Sequence, residues 1–199
     1  MAAGMFIPGS CNEPDRDSTG WKVSGKLFDN QSVMALARER TKTPFVLEQI
    51  PDSSPIASLT YEQYGDIRSS KSHDIWYNDR LKFRIELMAA GFNYKTPVHL
   101  YVVEKGFSHE IWGNKKFFKF GPGVPPLSDT LIPLSGFRVL TQLNSRSVWD
   151  EFLVFQGKSY FRAVSRGTLY GLSARGLSIH TGDASGEEFP VFTSFWIEK

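Results

Sequence analysis

Between Ser159 and Leu177 the chain concentrates Tyr160, Arg162, Arg166, Tyr170, Ser173 and Arg175, punctuated by Gly167, Gly171 and Gly176. Aromatic rings cover the C–H faces of a sugar, and planar guanidiniums bind pairs of hydroxyls, so the mixture suits a polyhydroxylated ligand. Strand alternation puts Tyr160 and Arg162 on one face and Phe161 and Ala163 on the other. If Thr168–Leu172, "TLYGL", is the partner strand, Thr168 and Tyr170 join that face. A solvated sheet face with a salt-bridged Arg162, and glycines serving hairpin bends, accounts for the same residues.

Other chemistry is harder to build from this chain. The carboxylates Asp66, Asp150, Glu151, Asp183, Glu187 and Glu188 are not paired by spacing. Glycoside hydrolysis needs two carboxyls at a set separation in space, which sequence distance does not measure, so each reads as a surface or cap residue. His73, His99, His109 and His180 show no metal-binding spacing, and the single Cys11 excludes a cysteine cluster and an intrachain disulfide. No metal and no cofactor is expected. Nucleophile elbow, phosphate-cradling loop and dinucleotide fingerprint are all missing from the sequence. "KKFFK" at 115–119 interleaves bases with rings, but a strand-and-turn surface explains it better in a chain of net charge +2, with 23 basic and 21 acidic residues. Nucleic acid is therefore not an expected partner. No apolar run approaches the roughly 18 residues of a membrane-spanning helix, so no membrane insertion is expected.

The elements that must position these residues follow from periodicity. With 199 residues, 41% hydrophobic and 22% charged, the composition is that of a folded globular domain. Residues 1–26, rich in Gly, Pro, Asp, Asn and Ser, predict a loop-like tail. "FDNQSVMALARERTKTPF" predicts a short helix capped by Asn30, with Val33, Met34, Leu36 and Ala37 on one side and a stop before Pro44. Thr60 and Gln63 have capping-box spacing and predict a second short helix ending near Gly65. The period then changes to two. "KFRIELM" alternates Phe83, Ile85 and Leu87 with Lys82, Arg84 and Glu86, and "PVHLYVV" turns Val98, Leu100 and Val102 inward. "EFLVF", "SYFRAV", "TLYGL" and "GLSIHT" follow at short intervals. Closely spaced strands without intervening helices predict an all-β chain, an antiparallel β-sandwich. The last residues, "FPVFTSFWIEK", stop inside a strand, which predicts an incomplete sandwich with an unpaired apolar edge there.

Several blocks together carry a resemblance. "LTYEQYGDIR", "GFNYKTPVHLYVVEKG", "GFRVL", "DEFLVFQGKSYFRAVSRGTLYGLSARGLSIHT" and "SGEEFPVFTSFWIEK" resemble, in order and spacing, the first part of the periplasmic glucan biosynthesis family (OpgG and OpgD, also MdoG and MdoD). The likeness spans residue 30 to the end, so 27–199 is expected to be part of the family's large domain. The resemblance implies a periplasmic protein with a large β-sandwich similar to carbohydrate-binding and mutarotase-like folds, followed by a small immunoglobulin-like domain. It implies a role in making osmoregulated periplasmic glucans with β-1,2-linked glucose backbones, with a β-glucan and a membrane glucan synthase as partners. Some members are similar to inverting β-1,2-glucanases, whose general acid, as the resemblance has it, lies downstream of "FPVFTSFW" and outside this chain. Three readings stay open: glucan binding in a sandwich cleft, glucan hydrolysis, and an interaction module for the synthase that touches no sugar. The positions matching the family pattern, and implied to bind ligand, are Tyr64, Asp66, Arg68, Tyr160, Arg162, Tyr170, Ser173 and Arg175. The sequence departs from the pattern at Gly65, where the family has Arg, at Ser69, where it has Phe, and at Ala89–Ala90, where it has His-Pro.

Overall fold

A computed structural model describes residues 25–127 and 131–199. The tail predicted over 1–26 lies outside the described residues except for Gly25 and Lys26, and Lys26 already pairs in a strand.

The alternating segments form two facing sheets. In the first, β3 (Phe83–Ala89), β7 (Leu134–Thr141), β8 (Asp150–Gln156), β9 (Tyr160–Ala163) and β10 (Leu172–Arg175) run antiparallel in the order β10-β9-β8-β7-β3. In the second, β1 (Lys26–Leu27), β5 (Phe107–Ile111), β4 (His99–Glu104) and β11 (Ser194–Glu198) lie in the order β1-β5-β4-β11. A separate ribbon pairs β2 (Ile67–Ser69) with β6 (Phe118–Phe120). The predicted inward residues do face the core: Ile85, Leu87, Val98, Leu100 and Val102 are buried, joined by Phe137 and by the packed Phe195 and Ile197. Phe83, at the strand's end, stays exposed. The mainly-β sandwich is therefore as predicted, with one pair of the other sense.

That pair is β11 with β4, which run parallel from Ser194↔His99 to Glu198↔Val103. Parallel neighbours need a long crossover, and the whole run from β5 to β10 supplies it. The strand expected to carry an unpaired edge, β11, has β4 on one side and ends the sheet on the other. Trp196 stacks on Tyr101 at 5.0 Å and on Phe28 at 5.6 Å, while Phe195 meets Phe137 and Phe155 inside.

Both helices form. The first, α1 (Asn30–Arg40), starts one residue earlier than predicted: Asp29 is the cap. Its carboxylate accepts from the Ser32 amide at 2.8 Å, and the Ser32 hydroxyl accepts in return from the Asp29 amide at 3.1 Å. A carboxylate at this position satisfies a free donor and complements the helix dipole. None of α1 is buried, and Val33 and Met34 on its apolar side are exposed. The second helix, α2 (Tyr61–Gly65), carries the predicted capping box, with Thr60 Oγ1 accepting from Gln63 N at 3.3 Å and Gln63 Oε1 from Thr60 N at 2.9 Å.

Two predicted strands are not strands. "TLYGL" contributes only Leu172 to β10, because Thr168 to Gly171 are used in the connection. Gly167 sits at φ +77°, Thr168 closes a turn onto the Ser165 carbonyl, and Gly171 crosses so close to β9 that a Cβ there would lie 2.6 Å from the Ala163 carbonyl oxygen. "GLSIHT" keeps a single bridge, Ile179↔Glu188, since His180 (φ +57°) and Gly182 (φ +78°) turn the chain back.

Candidate functional site

The candidate site is the outer face of the five-stranded sheet. Register sets Ser173 opposite Arg162 and Arg175 opposite Tyr160, so four of the eight predicted residues share one face of the β9–β10 hairpin. The hairpin is exposed, and Phe161 and Ala163 turn the other way, Phe161 onto Phe155 at 5.4 Å. The Arg175 guanidinium lies 3.5 Å over the Phe189 ring, a contact that fixes the cation without cancelling its charge.

The row continues across the sheet as a chain of ion pairs. Arg162 Nη2 is 2.8 Å from Glu151 Oε1, Glu151 Oε2 is 2.9 Å from Arg138 Nε, and Arg138 Nη1 is 2.7 Å from Glu86 Oε1. Each link joins neighbouring strands, from β9 through β8 and β7 to β3. Glu151 reaches this face because of a β-bulge. The register passes from Val139↔Leu153 to Leu140↔Glu151, skipping Phe152, and the extra residue re-aims Glu151 to the side of Arg138 and Arg162. Without the bulge it would share the inner face with Leu153. Val154, between Arg138 and Arg162 in the register, is buried, as expected beneath two long side chains. The Glu151 carboxylate holds the Arg162 guanidinium firmly charged, its pKa raised above the ordinary arginine value.

At the far edge of the sheet, the bridge Ile75↔Ile85 brings Asp74 beside Glu86. Asp74 is buried, 6% exposed, and accepts a hydrogen bond from the Ser69 hydroxyl at 3.2 Å. Burial first, and the Glu86 charge second, push its carboxyl up to about 6. The Ser69 hydroxyl is thus the side-chain donor that Asp74 uses here. Nearby, Arg84 lies between two rings, 3.9 Å over Trp149 and 4.5 Å over Tyr77.

The other predicted residues are not drawn into the row. Tyr64 is half-buried, its hydroxyl donating to the Ala89 carbonyl at 2.6 Å and accepting from Gln156 Nε2 at 2.9 Å. Burial raises its pKa, and its ring packs on Tyr94 at 5.7 Å. Asp66 caps the end of α2 and takes the Gly121 amide on its carbonyl at 3.0 Å, while Arg68 lies exposed on β2 opposite Lys119. Among the described residues, no hydrogen bond or ion pair joins Asp66 or Arg68 to the Tyr160 row. Tyr170 stands at the tip of the β9–β10 connection, 88% exposed. Arg166 ties that connection to the neighbouring loop by donating to the Leu143 carbonyl at 2.9 Å.

Sequence reasoning took Glu151 for a surface or cap residue and did not single out Arg138, Glu86 or Asp74. The wet face of "KFRIELM" holds Glu86, but only the strand register brings it opposite Arg138. On the opposite sheet, His99 stands between Glu110 (Nδ1 to Oε1, 3.4 Å) and Glu48 (Nε2 to Oε2, 3.3 Å) at a largely apolar cleft of about 280 Å³. Glu110 above all raises its pKa. Among the described residues, no group of three or more His, Cys, Asp or Glu side chains is arranged to hold a metal ion, and no helix is long and apolar enough to cross a membrane.

The family model for the periplasmic glucan biosynthesis protein MdoG matches residues 28–199. Glucans biosynthesis protein G 1 of Shewanella oneidensis is 40% identical over 173 residues, covering 86% of this chain and 32% of that protein. Glucans biosynthesis protein G of Shewanella sp. strain ANA-3 is 40% identical, and that of Shewanella baltica strain OS155 38% identical, with the same coverage. The chain spans about a third of the length of these curated relatives. A match that runs from Phe28 through β11, taking in both sheets and the whole ion-paired face, leaves one conclusion: the chain belongs to the periplasmic glucan biosynthesis protein (MdoG) family.

Proposed function

We propose that this chain takes part in periplasmic glucan biosynthesis by presenting a glucan-binding face, the outer surface of its five-stranded sheet. The observation that carries the reading is the exposed row of Tyr160, Arg162, Ser173 and Arg175, whose guanidinium Arg162 is held in place by Glu151. A ring, a hydroxyl and two cations on adjacent strands match what a glucose unit offers: an apolar ring face and pairs of hydroxyls at its edge. The family and the names of its members support glucan as the ligand class and the periplasm as the location. The β-1,2 linkage rests on the family resemblance.

Calorimetric titration of the 199-residue chain with linear β-1,2-gluco-oligosaccharides tests it. Arg162→Ala should weaken binding by about 1–3 kcal/mol, the range for hydrogen bonds to a charged group. Unchanged affinity in a folded variant would remove Arg162 from the site. No heat with millimolar ligand would favour an interaction module, for which the exposed Leu169, Tyr170 and Leu172 offer one apolar surface. Sustained release of reducing sugar would instead make the chain a hydrolase. Among the described residues the one carboxyl with a clearly raised pKa, Asp74, is 6% exposed beside Glu86 at the edge of the sheet, so little of it is open to a sugar.

A further inference from the structure

The ion-paired chain across the sheet is balanced, two carboxylates against two guanidiniums in strict alternation: Glu86, Arg138, Glu151, Arg162. Glu151 is the middle of it: its Oε1 accepts a hydrogen bond from Arg162, and its Oε2 lies 2.9 Å from Arg138 Nε, a charge contact without hydrogen-bond alignment. A guanidinium carries five N–H donors, and among the described residues only one nitrogen of Arg162 is engaged, so Arg162 keeps donors for a ligand. What kind of ligand then depends on the shared carboxylate. A phosphate, sulfate or carboxylate group approaching Arg162 meets Glu151 already on the same guanidinium, competes with it for donors and is repelled by its charge. A sugar hydroxyl meets no such penalty: it accepts from Arg162 and donates to Glu151.

We propose that Glu151 is the specificity-determining residue at Arg162: together with Glu86 it offsets the charges of Arg138 and Arg162, so that this stretch of the face accepts neutral glucan hydroxyls and turns anionic groups away, while Arg175, which no carboxylate pairs among the described residues, lies outside it. The inference rests on the glucan-binding reading and adds the charge class of the ligand. Arg138 is a positioning residue in this scheme: tied to Glu86 on one side, it holds Glu151 from behind and leaves the Oε1 edge for Arg162. The bulge at Phe152 exists, structurally, to bring that carboxylate to this side of the sheet.

The test is a pair of calorimetric titrations on the 199-residue chain, one with a neutral linear β-1,2-gluco-oligosaccharide and one with the same oligosaccharide sulfated. The wild type should bind the neutral probe more tightly. Glu151→Gln keeps the shape but only one accepting oxygen, and it removes the countercharge that Arg162 has and that Arg138 shares with Glu86, so affinity for the sulfated probe should rise about tenfold and affinity for the neutral one fall about threefold. The gain should fade with added salt, since it is electrostatic. Glu86→Gln, which uncovers Arg138 from the other side, is a second variant in case the first does not fold, and should move the sulfated probe the same way by a smaller factor. If folded Glu151→Gln leaves both affinities at their wild-type values, or if the wild type prefers the sulfated probe, the specificity role is overturned. If the wild type binds neither probe, the glucan-binding reading fails on its own. The anion-exclusion role is then judged on the sulfated probe alone: gained binding in Glu151→Gln upholds it, and no gain overturns it.

Discussion

Asp74→Asn should stabilise the protein, and more so at neutral pH than at acid pH. Asp74 is 6% exposed, with Glu86 beside it, the Ser69 hydroxyl as its hydrogen-bond donor, and Arg84 and Lys71 as partly compensating cations. Its carboxyl is pushed from an ordinary 3.8 up to about 6 in the folded chain. Because the folded value is raised, the folded state binds the proton more tightly than the unfolded one. Stability is therefore greatest below the unfolded value, falls as pH rises through the window from about 4 to 6, and stays low above it. Roughly two pH units at about 1.4 kcal/mol each set a ceiling of ~3 kcal/mol, which water entry and relaxation of the segment bring to ~1–2 kcal/mol. Asparagine mimics the protonated acid: its oxygen still accepts from Ser69, and its amide can donate to Glu86. Urea titrations at pH 4.5, 5.5, 6.5 and 7.5 read the difference between variant and wild type. That difference also cancels the opposite trend of Asp29, Asp52 and Asp183, whose carboxyls are lowered by their own hydrogen bonds. The variant should gain ~1–2 kcal/mol at pH 7.5 and lose most of that advantage by pH 4.5. A difference that does not change with pH would refute the argument, since the Asp74 proton would then be no more tightly held in the folded chain.

Two further perturbations test the packing that positions the site. Gly136→Ala puts a Cβ 2.0 Å from the Phe155 carbonyl oxygen and 2.8 Å from the Gln156 Cα, where only backbone could yield. It should cost ~2–3 kcal/mol and lower the melting temperature by about 5–10 °C, and an unchanged melt would mean that β7 and β8 do not approach so closely. Trp196→Ala removes the middle ring of the Phe28–Trp196–Tyr101 stack and should destabilise by ~2–3 kcal/mol in urea, a half-buried tryptophan costing less than a fully buried one. A loss under about 0.5 kcal/mol would show that the stack adds nothing to the docking of β11.

What could be read in the sequence, and what could not, divides along the line between local and non-local physics. The alternation of Ile85 and Leu87 with Arg84 and Glu86 was legible because one sheet face is dry and the other wet, and the Thr60–Gln63 box because its four atoms lie within one turn. The face shared by Tyr160 and Arg162 followed from the same alternation. "TLYGL" alternates just as well, yet its residues form the connection, because the turn at Gly167 and the crossing at Gly171 depend on how β9 lies beneath them. Glu151 was beyond alternation for the same kind of reason. Read by parity it belongs with Leu153 inside, and only the bulge, a property of the β7–β8 pair, turns it outward to bridge two arginines. The approach of Asp74 to Glu86 likewise needs the pairing of a short irregular segment with the edge of β3. Of the residues proposed to touch ligand, Tyr160 and Arg162 are legible by alternation, whereas Ser173 and Arg175, named through the family resemblance, reach that face through the β9–β10 register. The carboxylates that set the charge they present come from register, which no single strand contains.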